Sequence, residues 1–248
     1  MTYLQFLIIF LGLPLIFAIR FYRKSNLPHK TEFFWGIAVL VFLAVSYTTP
    51  WDNYLVMTNV WTYGPDRVLG TIGYVPVEEY GFFVLQTILT GLWCFYLQKS
   101  FPLKKSPAKS PIKLFVTILY FALFGLGVYG LFVTEMRYLG LILAWAMPVL
   151  ILQWVLGGQY LINNAKIFIT TFMVPTVYFW FADGLAIYLK IWDISTVYTI
   201  GWGVGPLPLE EATFFLITNL MVAQGLILFV VMEELVGKAL DFKRKLIS

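Results

Sequence analysis

The sequence predicts an all-α membrane protein of seven transmembrane helices, and three observations carry that expectation. Of 248 residues, 60% are hydrophobic and only 12% are charged, against about 25% charged residues in a soluble globular chain. The mean hydropathy of +0.82 is spread over the whole length. Apolar runs long enough to cross a bilayer, about 17 to 25 residues each, fall at 3–19, 33–49, 80–97, 114–133, 138–156, 167–189 and 212–232. These runs are continuously apolar, as from Leu114 to Val133, whereas the strands of a membrane barrel alternate in polarity.

The first run is expected to remain as a span. Met1 to Gln5 carry no basic residue, and Arg20, Arg23 and Lys24 follow the run instead of preceding it, the reverse of a secretory signal. Sorting the basic residues by loop sets the orientation, because short cytoplasmic loops keep positive charge. Arg20, Arg23, Lys24 and Lys30 follow the first run, and Lys99, Lys104, Lys105, Lys109 and Lys113 follow the third. Lys166 follows the fifth, and Lys238, Lys243, Arg244 and Lys245 follow the seventh. Only Arg67, Arg137 and Lys190 fall on the other side. An integral membrane protein with its N-terminus outside and its C-terminus cytoplasmic is therefore expected. The net charge of +4 then reflects topology, and no nucleic-acid partner is implied. With one histidine, His29, and one cysteine, Cys94, one chain cannot assemble a His/Cys metal cluster, a disulfide framework or a Cys-His dyad. No metal site and no cofactor is expected.

Self-comparison reveals an internal repeat. Residues 72–83 read IGYVPVEEYGFF, and 132 positions later residues 204–215 read VGPLPLEEATFF. Gly73/Gly205, Pro76/Pro208, Glu78/Glu210, Glu79/Glu211, Phe82/Phe214 and Phe83/Phe215 are identical. At a spacing of 131, Tyr47/Tyr178, Asp52/Asp183 and Trp61/Trp192 also match, and Pro14 and Pro148 sit at comparable places in the first and fifth runs. The expected architecture is two parallel three-helix repeats joined by a linker helix, a 3+1+3 arrangement. Residues 1–98 form the N-terminal repeat, 99–134 a basic loop and the linker helix, and 135–248 the C-terminal repeat. Four crossings separate equivalent points, so both Pro-x-Glu-Glu segments lie on the same, outer side.

The repeated acids are Asp52, Asp183, Glu78, Glu79, Glu210 and Glu211, and ionisable groups at span ends are costly unless paired, hydrated or functional. A plain reading is helix-start chemistry, since proline suits the first helical position and carboxylates favour the dipole. The pair recurring in both halves, each time followed by Phe-Phe, points to more than capping. For a general acid, burial and a neighbouring carboxylate must outweigh the helix N-terminus, which favours the ionised form. Adjacent helical residues point about 100° apart, so each pair can divide its roles. Sequence alone leaves open which member faces a substrate. Trp61 and Trp192, with Phe82, Phe83, Phe214 and Phe215, stand beside the acids. Aromatics at span ends commonly form interfacial belts, yet a ring face also stabilises a cation. Acid, apolar cavity and ring faces together suit protonation of an olefin and steering of the resulting carbocation. Asp52 and Asp183 would orient a glutamate, act as base, or hydrogen-bond between helices.

The doubled Pro76-Val77-Glu78-Glu79 and Pro208-Leu209-Glu210-Glu211 segments, the preceding Asp52 and Asp183, and Thr218-Asn219-Leu220-Met221-Val222-Ala223-Gln224-Gly225 resemble the membrane-integral, heterodimeric-type lycopene cyclases. In that family the halves occur as separate subunits or fused, and the resemblance covers nearly the whole chain in its fused form. It implies redox-neutral closure of the linear ends of lycopene to β-ionone rings, giving γ-carotene and then β-carotene, through a glutamic acid, a carbocation and a base. It implies a lipid-soluble polyene as substrate, contacts with membrane lipid, and a role for Asn219 beside the substrate, and it leaves homo-oligomerisation open. Gly201-Trp202-Gly203-Val204-Gly205 lacks the spacing of a dinucleotide fingerprint. The same 3+1+3 layout also occurs in small-solute transporters, the competing expectation. A retinal protein would need a lysine in the seventh run, and 212–232 has none.

Overall fold

Long apolar stretches in lipid must satisfy their backbone internally, and helices do so within one segment. A computed structural model describes residues 1–247, and side chains for residues 1–232; Lys238, Lys243, Arg244 and Lys245, used in the charge sorting, lie outside the described side chains. Among the described residues seven helices are long and apolar enough to span a membrane. They are α1 (Tyr3–Lys24), α2 (Lys30–Met57), α3 (Val77–Leu97), α4 (Ile112–Gly130), α5 (Arg137–Asn163), α6 (Ala165–Tyr188) and α7 (Leu209–Ile247). Each overlaps one of the expected runs, and five of them contain it whole and overshoot it at one end or both, because helices continue into the polar flanks; α4 and α6 start earlier and end sooner than their runs. The extension of α2 to Met57 places Asp52 inside a helix. The fourth helix stops at Gly130, short of the expected Val133, where α4 meets α5 closely. A Cβ on Gly140 would stand 2.6 Å from the carbonyl carbon of Gly130, the close backbone approach that small residues permit between membrane helices.

The helices α3 and α7 are central. More than half of each span is buried, 56% and 61%, against 11% for α4, which leans on α5 at the periphery. Around the central pair, α1, α2 and α6 pack on α3, while α5, α6 and α2 pack on α7. Large apolar side chains such as Phe17, Phe42, Phe115 and Phe181 face outward, and Asp52, Glu79, Asp183 and Glu211 are buried within. Apolar surface meets lipid, and the polar groups are gathered where they can find one another.

Six short strands at one end of the bundle were not anticipated, since two or three residues carry no periodic signal. The loops after α2 and α6 pair as antiparallel strands β1 (Trp61–Tyr63) and β4 (Trp192–Ile194), with Tyr63 opposite Trp192. Two hairpins follow, β2–β3 (Thr71–Ile72 with Val75–Pro76) and β5–β6 (Gly203–Val204 with Leu207–Pro208), in the same register. Gly73 and Gly205 lead their two-residue turns at φ +66° and +59°. That left-handed conformation suits glycine at the first turn position of a tight hairpin. Each hairpin turns the chain straight into α3 or α7.

Candidate active site

The hairpins fix the first turn of each central helix and thereby divide each glutamate pair. Pro76 stands at the N-cap of α3, and the backbone N–H groups of Val77 and Leu209 donate to the carbonyls of Gly70 and Trp202 at 3.0 and 2.8 Å. The first glutamate of each pair turns back toward the loop. Glu78 Oε1 accepts from the Leu69 amide, and Glu210 Oε1 from the Ile200 amide, both at 2.8 Å. The second glutamate, about 100° around the helix, points into the bundle.

Glu79 Oε2 accepts from the hydroxyl of Tyr3 at 2.5 Å and of Tyr63 at 3.3 Å. Glu211 Oε1 accepts from the hydroxyl of Tyr138 at 2.5 Å and from Trp61 Nε1 at 3.1 Å. Hydrogen bonds to a carboxyl group in a low-dielectric interior are stronger than those in water. Strand alternation carries Trp61 and Tyr63 to the same face of β1, aimed inward. Burial first, and then the neighbouring Glu79 carboxylate, hold the Tyr63 phenol well above the ordinary tyrosine range, so it stays a donor. Asp183 Oδ1 accepts from Trp192 Nε1 at 3.0 Å. Asp183 Oδ2 and both carboxyl oxygens of Asp52 are buried with no hydrogen-bond partner among the described residues. Asp52 lies within electrostatic reach of Glu79 and Glu211.

These groups border a small cavity of about 20 Å³ lined by Tyr3, Tyr63, Glu79, Asp183 and Glu211 together with Trp61, Trp192, Phe82, Phe214 and Phe215. Its walls are largely aromatic: Trp192 lies 4.9 Å from Tyr3, Trp61 5.8 Å from Phe214, and Phe214 5.3 Å from Phe215, centroid to centroid. An apolar groove of about 220 Å³ adjoins it, and Phe214 lines both. Carboxyl groups enclosed by ring faces can give and take a proton beside a transient cation. Among the described residues no three His, Cys, Asp or Glu side chains are placed to hold a metal ion.

The residues expected from the sequence separate here. Glu79, Glu211, Asp183, Trp61, Trp192, Phe82, Phe214 and Phe215 come together at the cavity, with Asp52 behind it. Glu78 and Glu210 serve the loops, and Phe83 faces the adjoining groove. Asn219 lies off the cavity and braces helices: its side chain accepts from Thr90 at 2.8 Å and donates to the Phe215 carbonyl at 2.9 Å. Tyr3 and Tyr138 were missed. Tyr3 and Tyr138 stand 135 positions apart, whereas Pro14 and Pro148 stand 134 apart. A π-helical turn at Ile8–Gly12 in α1 accommodates one extra residue. A self-comparison allowing that single gap pairs the two tyrosines. Their settings match as well: the Tyr3 amide donates to the Arg67 carbonyl and the Tyr138 amide to that of Tyr198, at 2.8 and 3.1 Å.

No family model matches the chain, and no solved structure does. Among curated proteins, it is 41% identical to a lycopene β-cyclase of Halobacterium salinarum over 231 residues, covering 92% of this chain and 95% of that one. It is 38% identical over 198 residues to a bifunctional lycopene cyclase/phytoene synthase of Aspergillus niger, covering 77% of this chain and 34% of that protein. A bifunctional protein of the same name from Podospora anserina is 36% identical over 215 residues, covering 81% of this chain and 36% of its own. The chain spans about a third of those two fusions and nearly all of the archaeal protein. With that identity over that length, this chain belongs to the lycopene cyclase family.

Proposed function

We propose that the protein is a lycopene β-cyclase in which Glu79 and Glu211 exchange protons with the substrate. The observation that carries this reading is the convergence of two inward glutamates, each bound to a phenol, on one aromatic cavity beside an apolar groove. One glutamic acid donates a proton to the terminal double bond of lycopene and leaves a tertiary cation. The next double bond attacks, a ring closes, and the cation moves to a ring carbon. The other carboxylate removes a ring proton and leaves the β-ionone double bond. One proton enters and one leaves, so the step is redox-neutral and the mass is unchanged. Repetition at the second end takes lycopene to γ-carotene and then β-carotene. Trp61, Trp192, Phe82, Phe214 and Phe215 stabilise the cation through their faces, Asp52 and Asp183 tune the glutamates, and Glu78 and Glu210 hold the loops that aim them.

The architecture in this reading is two parallel three-helix repeats, residues 1–98 and 135–248, joined by the loop and linker helix at 99–134, as in a fused heterodimeric-type cyclase. The matched hairpin registers and the paired Leu69–Glu78 and Ile200–Glu210 bonds support it. The basic loops support an outer location for the hairpin end, with the C-terminus cytoplasmic. Family membership favours cyclisation over the transport reading of the same layout. Expression in a bacterial host that accumulates lycopene, with pigments separated chromatographically and weighed by mass detection, tests the function. Ring-bearing products of unchanged mass are expected; unaltered lycopene, with the protein present in the membrane, contradicts the reading.

A further inference from the structure

The two halves are matched around the cavity but differ beyond it. The Tyr47 hydroxyl donates to the Trp145 carbonyl at 2.9 Å, and that of Tyr178 to the Phe10 carbonyl at 2.8 Å. The same bond thus ties α2 to α5 and α6 to α1. Inward of Tyr47 lies the apolar groove of about 220 Å³, bounded by α2 and α5 with α3 and α7 as its floor, and lined by Thr48, Thr87, Val149 and Met221 among others. It is open to the side, where Leu43 and Tyr47 are exposed, and it ends at Phe214, which also lines the acid cavity. At the matching position on α6 stands a buried ring. Thr48 corresponds to Phe179, at the spacing of 131 that relates Tyr47 to Tyr178 and Asp52 to Asp183. The Phe179 side chain is 1% exposed. Its ring stacks on Phe215 at 5.5 Å and meets the edge of Phe82, the counterpart of Phe214, at 5.9 Å.

We propose that the polyene reaches the acids from one side only, through the groove between α2 and α5, and that Phe179 closes the equivalent passage between α6 and α1. This rests on the cyclase reading and adds the route. The occupant follows from continuity: the groove is apolar, opens laterally where a lipid-soluble chain resides, and ends at the ring that also borders the glutamates. A linear polyene therefore lies along the groove with one end at the cavity, while the other end stays distant from the acids. The second ring then requires withdrawal and reversed re-entry, so the one-ring product leaves the site between turnovers.

The test is an exchange of the two residues in a lycopene-accumulating host, with the protein in the membrane quantified. Thr48→Phe is expected to lower ring formation at least about tenfold, since the added ring occupies the space through which the polyene would pass. Phe179→Thr, which opens the unused side, is expected to keep cyclising. Wild-type cyclisation by Thr48→Phe overturns the route, as does loss of cyclisation in Phe179→Thr with the protein still in the membrane. Should Thr48→Phe fail to accumulate, Val149→Cys decides the matter, because labelling takes place on folded protein. Lycopene in the vesicles should slow its reaction with an apolar maleimide, and fully hydrogenated lycopene should not. Equal rates with and without lycopene, or equal protection by the saturated chain, overturn the proposal. Failure of the unmodified chain to cyclise lycopene instead removes the function on which the route rests.

Discussion

At the scale of single residues, the phenols of Tyr3 and Tyr138 are the groups that most closely constrain the two inward glutamates. Each donates at 2.5 Å, and each is delivered by the first turns of a helix whose start is held by a loop carbonyl. Tyr3→Phe and Tyr138→Phe remove one hydroxyl and preserve the ring. Hydrogen bonds to ionisable groups contribute about 1.5–3 kcal/mol, so each variant should cyclise roughly ten- to a hundredfold more slowly. The initial rate of ring formation in membranes, normalised to protein, checks this; unchanged rates in both would remove the phenols from the mechanism. Glu79 and Glu211 stood out in the sequence because their surroundings repeat at a constant offset. The tyrosines did not, because the π-helical turn in α1 shifts the offset by one between Tyr3 and Pro14. The division within each glutamate pair was equally hidden, since it depends on the loop amides of Leu69 and Ile200. Asn219, singled out by resemblance, accepts a hydrogen bond from Thr90 across to α3.

At the scale of elements, the hairpins and the glycine seam between α4 and α5 do the positioning. Gly205→Val forces a β-branched side chain into a left-handed turn, a cost of roughly 1–2 kcal/mol from backbone alone. It should lower the thermal midpoint in detergent and weaken cyclisation together, because the hairpin aims α7; an unchanged midpoint would show the turn to be unimportant. Gly140→Leu should be more severe. Its Cβ would stand 2.6 Å from the Gly130 carbonyl carbon, and backbone cannot yield as a flexible side chain does. Loss of protein from the membrane fraction is the expected outcome. The seven spans were legible because hydropathy over about twenty residues is a strong signal. The strands were not: β1 and β4 are three residues each and exist through pairing between distant loops.

At the scale of the whole molecule, the hairpin end carries the acids and the opposite end carries most of the basic loops. In the proposed orientation a cysteine at Val197, exposed in the loop after β4, reacts with an impermeant maleimide from outside intact cells. A cysteine at Lys109, in the basic loop before α4, reacts only after lysis. The reverse pattern would invert the topology. In the proposed mechanism the second glutamate of each pair performs proton transfer at a shared cavity, and the first fastens the loop. General acid-base groups contribute about 10²- to 10⁴-fold, whereas glutamine can still accept the loop amide at positions 78 and 210. The most direct measurement compares four purified variants, Glu78→Gln, Glu79→Gln, Glu210→Gln and Glu211→Gln, for the rate of ring formation from lycopene in lipid vesicles. Losses of at least about a hundredfold in Glu79→Gln and Glu211→Gln, with substantial activity kept by the other two, are the result expected here. Activity kept by Glu79→Gln and Glu211→Gln, or lost only in Glu78→Gln and Glu210→Gln, would contradict it.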